Sequence, residues 1–465
     1  MPTPILLDPV LARIDADLPA AVERLLTLLR IPSISTDPAY KAACDAAADL
    51  LVADLAGLGF EASKRPTQGH PMVVAHVSTP AGENAPHLLF YGHYDVQPVD
   101  PLSLWDRDPF DPEIQQTANG PVIRGRGSAD DKGQLMTFIE ACRAWKSVHG
   151  ALPARLTIFL EGEEESGSPS LVHFMQANAA ELTADLALIC DTGLFDDQTP
   201  AITTMLRGLL GEEITITGPT KDLHSGMFGG LAINPVRVLA RIIASLHDAS
   251  GRITVPGFYD GVTELSDDVR AQWQNLAFDH ARFLGAVGLS VPAGEQDRTP
   301  LEMLWSRPTC EVNGIFGGYA GDGFKTVLPS VASAKISFRL VGSQDPLAIR
   351  DAFRKQVQDM LPADCSVTFK DHSAAPAALM TITHPAFEKA RAALSDEWPH
   401  PAAYVGCGGS IPIAGYFKSI LNMDAMLIGF GREDDQVHSP NEKYDVECFH
   451  KGIRSWARIL ARLTA

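Results

Sequence analysis

"LFYGHYDVQPVDP" occupies residues 89–101. It begins as an apolar strand, then sets a histidine and a carboxylate two residues apart before a proline-containing turn. Alternation on a strand places residues i and i+2 on one face, so His93 and Asp95 point the same way at the strand's C-terminal end. Open α/β sheets carry their chemistry at that end. Taken alone, the stretch fits a surface histidine paired with a carboxylate equally well, so its surroundings must decide.

Outward from this strand the first half of the chain alternates two patterns. "MVVAHV" (72–77), "HLLFYGHYDV" (87–96), "ARLTIFLEG" (154–162) and "ADLALICD" (184–191) are short apolar runs, as expected of strands buried on both faces. "AVERLLTLLRI" (21–31), "AACDAAADLLVADLAGLGF" (42–60) and "GQLMTFIEACRAWKSVHG" (133–150) have helical periodicity, the last closing on a glycine. Strand–helix alternation predicts an α/β domain with a mainly parallel sheet. The pattern changes near Arg207. "GEEITITG" (211–218), "ASAKISFRLVG" (332–342) and "CSVTFKDH" (365–372) alternate as half-exposed strands, and 233–249 and 345–361 are amphipathic helices. These predict a small α+β layer, ferredoxin-like in type, inserted into the first domain. The expected division is 1–207, 208–378 and 379–465, with "SAAPAALMTITHP" as the returning linker. Residues 250–307 show no regular pattern.

The bulk numbers agree with this division. A chain of 465 residues exceeds one hydrophobic core, so two domains are the prior. Hydrophobic residues at 45% and charged residues at 20% are those of an ordinary globular protein. Lys plus Arg is 38 and Asp plus Glu is 57, a formal charge of −19. That argues against nucleic acid or an anionic membrane as a partner. The seven cysteines are scattered and never form Cys-x-x-Cys, which argues against a disulfide framework and a thiolate zinc site. The first residues lack a basic region followed by an apolar one, and no stretch approaches the roughly 18 apolar residues of a membrane span. The expected location is the cytoplasm.

Three further strand or loop ends, and one C-terminal loop, resemble the opening stretch. "IRGRGSADDKGQ" presents Asp130 and Asp131, "LTIFLEGEEESGS" presents Glu161, Glu163, Glu164 and Glu165, and "LALICDTG" presents Asp191. "DDQVHSPNEKYD" presents His438. Singly, such residues are most often solvated faces or helix-dipole partners. Together, carboxylates crowded at strand ends repel unless a cation compensates them. Histidine and carboxylate donors without thiolates suit a catalytic zinc site, with manganese or cobalt as alternatives. There are enough donors for two ions.

"YGHYDVQP", "GRGSADDKG", "EGEEESGS", "DLHSGMFGG", "GGSIP" and "HSPNEK" occur in the order of the two-zinc metallopeptidase family. That family includes carnosinases, bacterial dipeptidases, carboxypeptidase G, aminoacylase and succinyl-diaminopimelate desuccinylase. The likeness spans nearly the whole chain and is greatest to the carnosinase-like dipeptidases, strengthened by "RPTCEVNGIFGGY", "FKTVLP" and "FRLV".

The resemblance implies roles residue by residue. His93 and Asp191 would hold one ion, Glu165 and His438 the other, with Asp130 bridging. Asp95 would orient His93, and the Asp130–Asp131 peptide would be cis. Two Glu directly before Ser-Gly make Glu164 the general base and Glu165 the ligand, leaving Glu163 facing solvent. His224 would donate to the developing oxyanion. Arg339 and the Gly408, Gly409, Ser410 loop resemble the pocket for the substrate's free carboxylate, with Thr326 and Asn313 as further polar positions. Cys407 stands where an acid is common in the branch and Asn313 where carnosinases have histidine; both leave the substrate side chain open. The implied activity is hydrolysis of dipeptides or short peptides with a free C-terminal carboxylate. Deacylation of N-acyl amino acids at the same centre is the alternative, and a non-catalytic metal- or peptide-binding protein the third reading. The insert would serve as lid and homodimer surface.

Overall fold

The computed structural model describes residues 6–78, 85–380, 382–409 and 411–464. The chain divides into two compact units, one of residues 1–204, 380–405 and 416–465, the other of 205–379 and 406–415.

The first unit is built on a mixed sheet. Its order runs Glu61–Arg65, Met72–Val77, Arg155–Glu161, His87–His93, Leu186–Ile189, Ala425–Leu427 and Ala201–Leu206. The four strands from Arg155–Glu161 to Ala425–Leu427 are parallel, and antiparallel strands flank them on both sides. Three of the four apolar runs lie in the parallel centre; the fourth, Met72–Val77, is the antiparallel strand beside it. His87–His93 is buried from Leu88 onward. Because these strands share a direction, their C-terminal ends emerge at one edge. His93 stands opposite Glu161 in the register, and Asp191 follows Ile189 by two residues.

Helix Lys132–His149 is buried along an unbroken run from Lys132 to Cys142. It ends at Gly150, whose φ of 71° is the left-handed geometry of a glycine cap. Phe138 stacks on Phe90 at 4.0 Å and meets the edge of Trp456 at 5.4 Å. Trp456 belongs to the C-terminal helix Val446–Leu463, so this cluster ties the last helix to the central strand. The first helix runs Asp8–Leu29, starting well before the expected 21–31. Pro19 lies inside it; a proline normally marks a boundary, and here the burial of Val10, Leu11 and Ile14 carries the helix through it. A three-stranded sheet, Lys443–Asp445, Gly120–Arg124 and Glu113–Thr117, was absent from the sequence reading. Lys443–Asp445 has only three residues, and Glu113–Thr117 is exposed throughout.

The second unit is a four-stranded antiparallel sheet ordered Thr309–Gly317, Val331–Leu340, Gly208–Thr217 and Ser366–Ala375. With helices Pro235–Ala244 and Pro346–Asp359, the chain order is βαββαβ, the ferredoxin-like arrangement. Leu210, Ile214, Ile336, Phe338, Leu239, Ile242 and Phe353 form its core. Residues 250–307 join it: Ile253, Val255 and Phe258 enter the core, and three short helices follow, Asp267–Asn275, His280–Gly285 and Pro300–Trp305. Their brevity hid their periodicity. Thr299 and Glu302 form a capping box at the last one, a signal present in "TPLE". Among the described residues no helix is long and apolar enough to cross a membrane.

Candidate metal centre

Three parallel strand ends, which lead to His93, Glu165 and Asp191, and two loops, which carry Asp130 and His438, bring five of the expected residues together in the first unit. His93, Asp130 and Asp191 offer donor atoms within 4.8 Å of one another, as do Asp130, Glu165 and His438. Asp130 belongs to both groups. Its Oδ1 lies 3.1 Å from His93 Nε2 and its Oδ2 lies 2.9 Å from His438 Nε2. His438 Nε2 is also 3.2 Å from Glu165 Oε2. The Asp130–Asp131 peptide is cis.

Each donor is held by its surroundings. His93 is fully buried, and its Nδ1 faces the backbone oxygen of Asp95 at 3.1 Å and the Asp95 carboxylate at 3.4 Å. The two Asp95 carboxylate oxygens accept from the backbone N–H groups of Glu164 at 3.2 Å and Glu165 at 3.0 Å. Asp95 therefore touches both His93 and the turn that carries the two glutamates. Asp131 Oδ2 accepts from His93 N at 3.1 Å. A Cβ at Gly92 would meet that same oxygen at 2.8 Å, so the approach requires glycine there. Gln97 donates to Glu165 Oε2 at 2.7 Å. The Glu442 carboxylate accepts from Arg126 Nη1 and from the backbone of Gly127, Ala129 and Asp130. Sequence reasoning missed Gln97 and Glu442, although both lie within quoted motifs, "YGHYDVQP" and "HSPNEK".

Glu163 corrects an expectation. It is 1% exposed rather than solvent-facing. Its Oε1 accepts from His70 N at 2.7 Å and its Oε2 from Ser170 N at 3.1 Å. The carboxylate staples the turn to a loop far away in sequence.

The electrostatics are those of crowded acids. Burial pushes the Glu164 carboxyl up to about 7; His93 opposes the rise, and Glu165, Asp95 and Asp130 add to it. Burial and the neighbouring Asp130 hold Asp191 well above the usual carboxylate range. Burial also raises Asp130, but hydrogen bonds from His438 and His93 outweigh it and hold Asp130 below that range. Hydrogen bonds to Asp130 and Glu165 lift His438 to about 10. Burial pushes Glu442 up to about 7, with Arg126 and the backbone donors pulling against it. Two imidazoles and three carboxylates, with no thiolate, are a donor set for a borderline or hard divalent cation. Glu165 Oε1 is buried without a protein partner, and like charges gather where a cation would relieve them. The residues fit divalent metal.

The expected substrate residues lie in the second unit. Arg339 sits on its strand opposite Thr309 and Leu209. Arg207, not anticipated, donates Nε–H to Gly408 O at 3.0 Å and N–H to Gly409 O at 3.2 Å. Burial, and after it the Arg339 charge, lower it to about 10. Ser410 lies outside the described residues. Asn313 is exposed at a β-bulge. His224 is exposed and pairs with Val327 in a two-residue ladder beside Thr326, whose carbonyl accepts from Ser225 N. Its Nδ1 accepts from Gly226 N at 3.0 Å, which leaves Nε2 as the donor in the neutral ring.

Comparison with known proteins identifies the family. The profile described as "Peptidase family M20/M25/M40" matches residues 89–462. The chain belongs to this family. The Cys-Gly metallodipeptidase dug1 of Schizosaccharomyces pombe is 30% identical over 99% of this chain and 98% of its own. The human Beta-Ala-His dipeptidase is 27% identical over 83% of this chain and 76% of its own. The M20 family metallo-carboxypeptidase Sso-CP2 of Sulfolobus solfataricus superposes with a TM-score of 0.81 at 31% identity, covering 96% of this chain and 99% of its own. This M20 chain is a metal-dependent peptidase of the carnosinase-like dipeptidase branch, with the α/β fold and inserted domain of its relatives.

Proposed function

We propose that this M20 peptidase hydrolyses dipeptides or short peptides with a free C-terminal carboxylate, using two divalent ions, zinc foremost and manganese or cobalt as alternatives. The observation that carries the proposal is the division of Asp130. One oxygen faces His93, near Asp191, and the other faces His438, near Glu165. His93 and Asp191 would hold one ion, His438 and Glu165 the second, and Asp130 both.

Bound there, divalent cations supply Lewis acidity that makes water nucleophilic near neutral pH and polarises an amide carbonyl. The chain supplies the rest. Glu164 takes the proton from the attacking water and delivers it to the amine as the C–N bond breaks. Burial raises its pKa, the direction that suits a base that must also act as acid near the ambient pH. Asp95 holds the Glu164–Glu165 turn by two backbone hydrogen bonds. His224 Nε2–H would donate to the developing oxyanion. Arg339, with Gly408, Gly409 and Ser410, would receive the substrate carboxylate, for which a planar guanidinium is the matching donor. Thr326 and Asn313 would supply polar contacts to the substrate.

The insert, 208–378, would form lid and dimer surface. Ile315, Phe316 and Tyr319, on and just past the edge strand Thr309–Gly317, are 59, 54 and 49% exposed. An apolar sheet edge of this kind favours pairing with a second chain.

The test is a panel of dipeptides, their C-terminal amides and N-acyl amino acids, assayed with zinc, manganese and cobalt. Dipeptides should be cleaved, and amidation should raise KM sharply or abolish turnover. Equal rates on acid and amide would remove Arg339 and its loop from substrate binding. A preference for N-acyl amino acids would make the enzyme a deacylase.

A further inference from the structure

Glu442 stands four residues after His438, in "HSPNEK", and is fully buried. Its carboxylate has four partners, and every one is a donor. Oε2 accepts from Arg126 Nη1 at 2.8 Å and Gly127 N at 2.9 Å, and Oε1 accepts from Ala129 N at 2.9 Å and Asp130 N at 3.1 Å. Its own backbone oxygen accepts from Gly125 N at 3.1 Å. The loop 125–130 is thus wrapped around one side chain of the segment that bears His438. Arg126 continues the connection: its Nη2 donates to Pro98 O at 3.1 Å, on the segment that follows His93 and Asp95. Three loops that emerge from different places in the chain meet at the Arg126–Glu442 pair.

Asp130 can face His93 with one oxygen and His438 with the other only if its loop is held at a fixed height between them. No hydrogen bond within loop 125–130 sets that height from the Asp130 N–H; Glu442 does. We infer that Glu442 is a positioning residue, which sets the Asp130 carboxylate between the two ion sites by binding the backbone on its N-terminal side. The inference rests on the two-ion reading of the centre. It goes beyond that reading because Glu442 is itself no ligand.

The experiment is competition titration of metal-free protein with zinc(II) against a chromophoric chelator, alongside thermal unfolding of the same metal-free samples. Wild type should take two ions. Glu442→Gln should bind both about ten- to a hundredfold more weakly, as for other residues that orient ligands from behind. A loss confined to the Glu165–His438 ion would overturn the inference, because Asp130 serves both. The double variant Arg126→Met/Glu442→Leu separates positioning from stability. It removes the buried charges together, so it should be more stable than Glu442→Leu alone, though still below wild type because the Gly127, Ala129 and Asp130 N–H groups lose their acceptor, while zinc affinity stays low. Affinity that recovers together with stability would show a merely structural role and overturn the proposal. Should neither variant fold, Glu442→Asp keeps the charge opposite Arg126 and withdraws the carboxylate by one methylene. It should show the same loss, and wild-type affinity in that variant would overturn the proposal. A wild-type stoichiometry below two would overturn the two-ion reading itself, and Glu442 would then be judged on the affinity of whichever ion Asp130 holds.

Discussion

Glu163, Glu164 and Glu165 are neighbours in the chain with three different surroundings. Glu163 accepts from two backbone N–H groups, Glu164 is raised toward neutrality by burial, and Glu165 faces His438 and Gln97. Their substitutions should separate accordingly. Glu164→Gln should retain metal and fold but lose about 10²- to 10⁴-fold in kcat, the typical worth of a positioned acid–base group. Glu165→Gln should lower affinity for one ion, read by chelator competition. Glu163→Gln should leave turnover of the folded enzyme near wild type and lower stability in denaturant by about 1–3 kcal/mol, because an amide N–H would oppose a backbone donor. Loss of metal in Glu164→Gln with loss of turnover alone in Glu163→Gln would shift the assignment by one residue. The sequence could rank these three only by motif. Of the partners of Glu163, Ser170 is close in the chain, but His70 is brought to it by folding, and no local pattern announces that contact.

At the scale of elements, the strands and long helices were legible because burial imposes periodicity on them. "MVVAHV" became the strand Met72–Val77 residue for residue, and the glycine after "KSVH" became the cap of its helix. What was not legible lacked length or alternation. In the hairpin, Glu113–Thr117 is exposed throughout and Gly120–Arg124 buries only Val122 and Ile123, and the short helices of 250–307 have six to nine residues each. Gly133 shows how an element's first turn reaches the site. It opens helix Lys132–His149, and an added Cβ would stand 1.9 Å from Ser128 O and 2.8 Å from the Tyr444 ring. Backbone cannot yield as a flexible side chain can, so Gly133→Ala should displace the loop that carries Asp130. The expected cost is about 1–3 kcal/mol in stability, with weaker zinc binding in the same variant. Unchanged unfolding and affinity would mean that the loop has slack the structure does not display.

Across the whole molecule, metal and assembly are the properties that no single element contains. An ion that binds only the native state stabilises it by mass action, about 2.7 kcal/mol at a hundred times its Kd. Chelation should therefore lower the unfolding temperature, and added zinc should restore it; identical unfolding with and without chelator would argue against ions bound in the folded state. Assembly bears on where His224 acts. It lies in the second unit and all five proposed ligands lie in the first, so the chain itself leaves open which subunit's centre His224 serves. Gly226, Gly229 and Gly230 follow it, and Gly230 has a φ of 83°, a backbone shape that favours glycine. If His224 completes the neighbouring subunit's centre, His224→Ala and Glu164→Ala homodimers should each be nearly inactive. In a mixed dimer one centre then has both residues and the other has neither. Equal amounts assorting at random give half mixed dimers, each with one working centre of two, so activity should recover toward about a quarter of wild type. The measurement is dipeptide hydrolysis after subunit exchange, with exchange itself verified by a mass-tagged subunit. Proven exchange without recovery would assign His224 to its own subunit or remove it from the reaction.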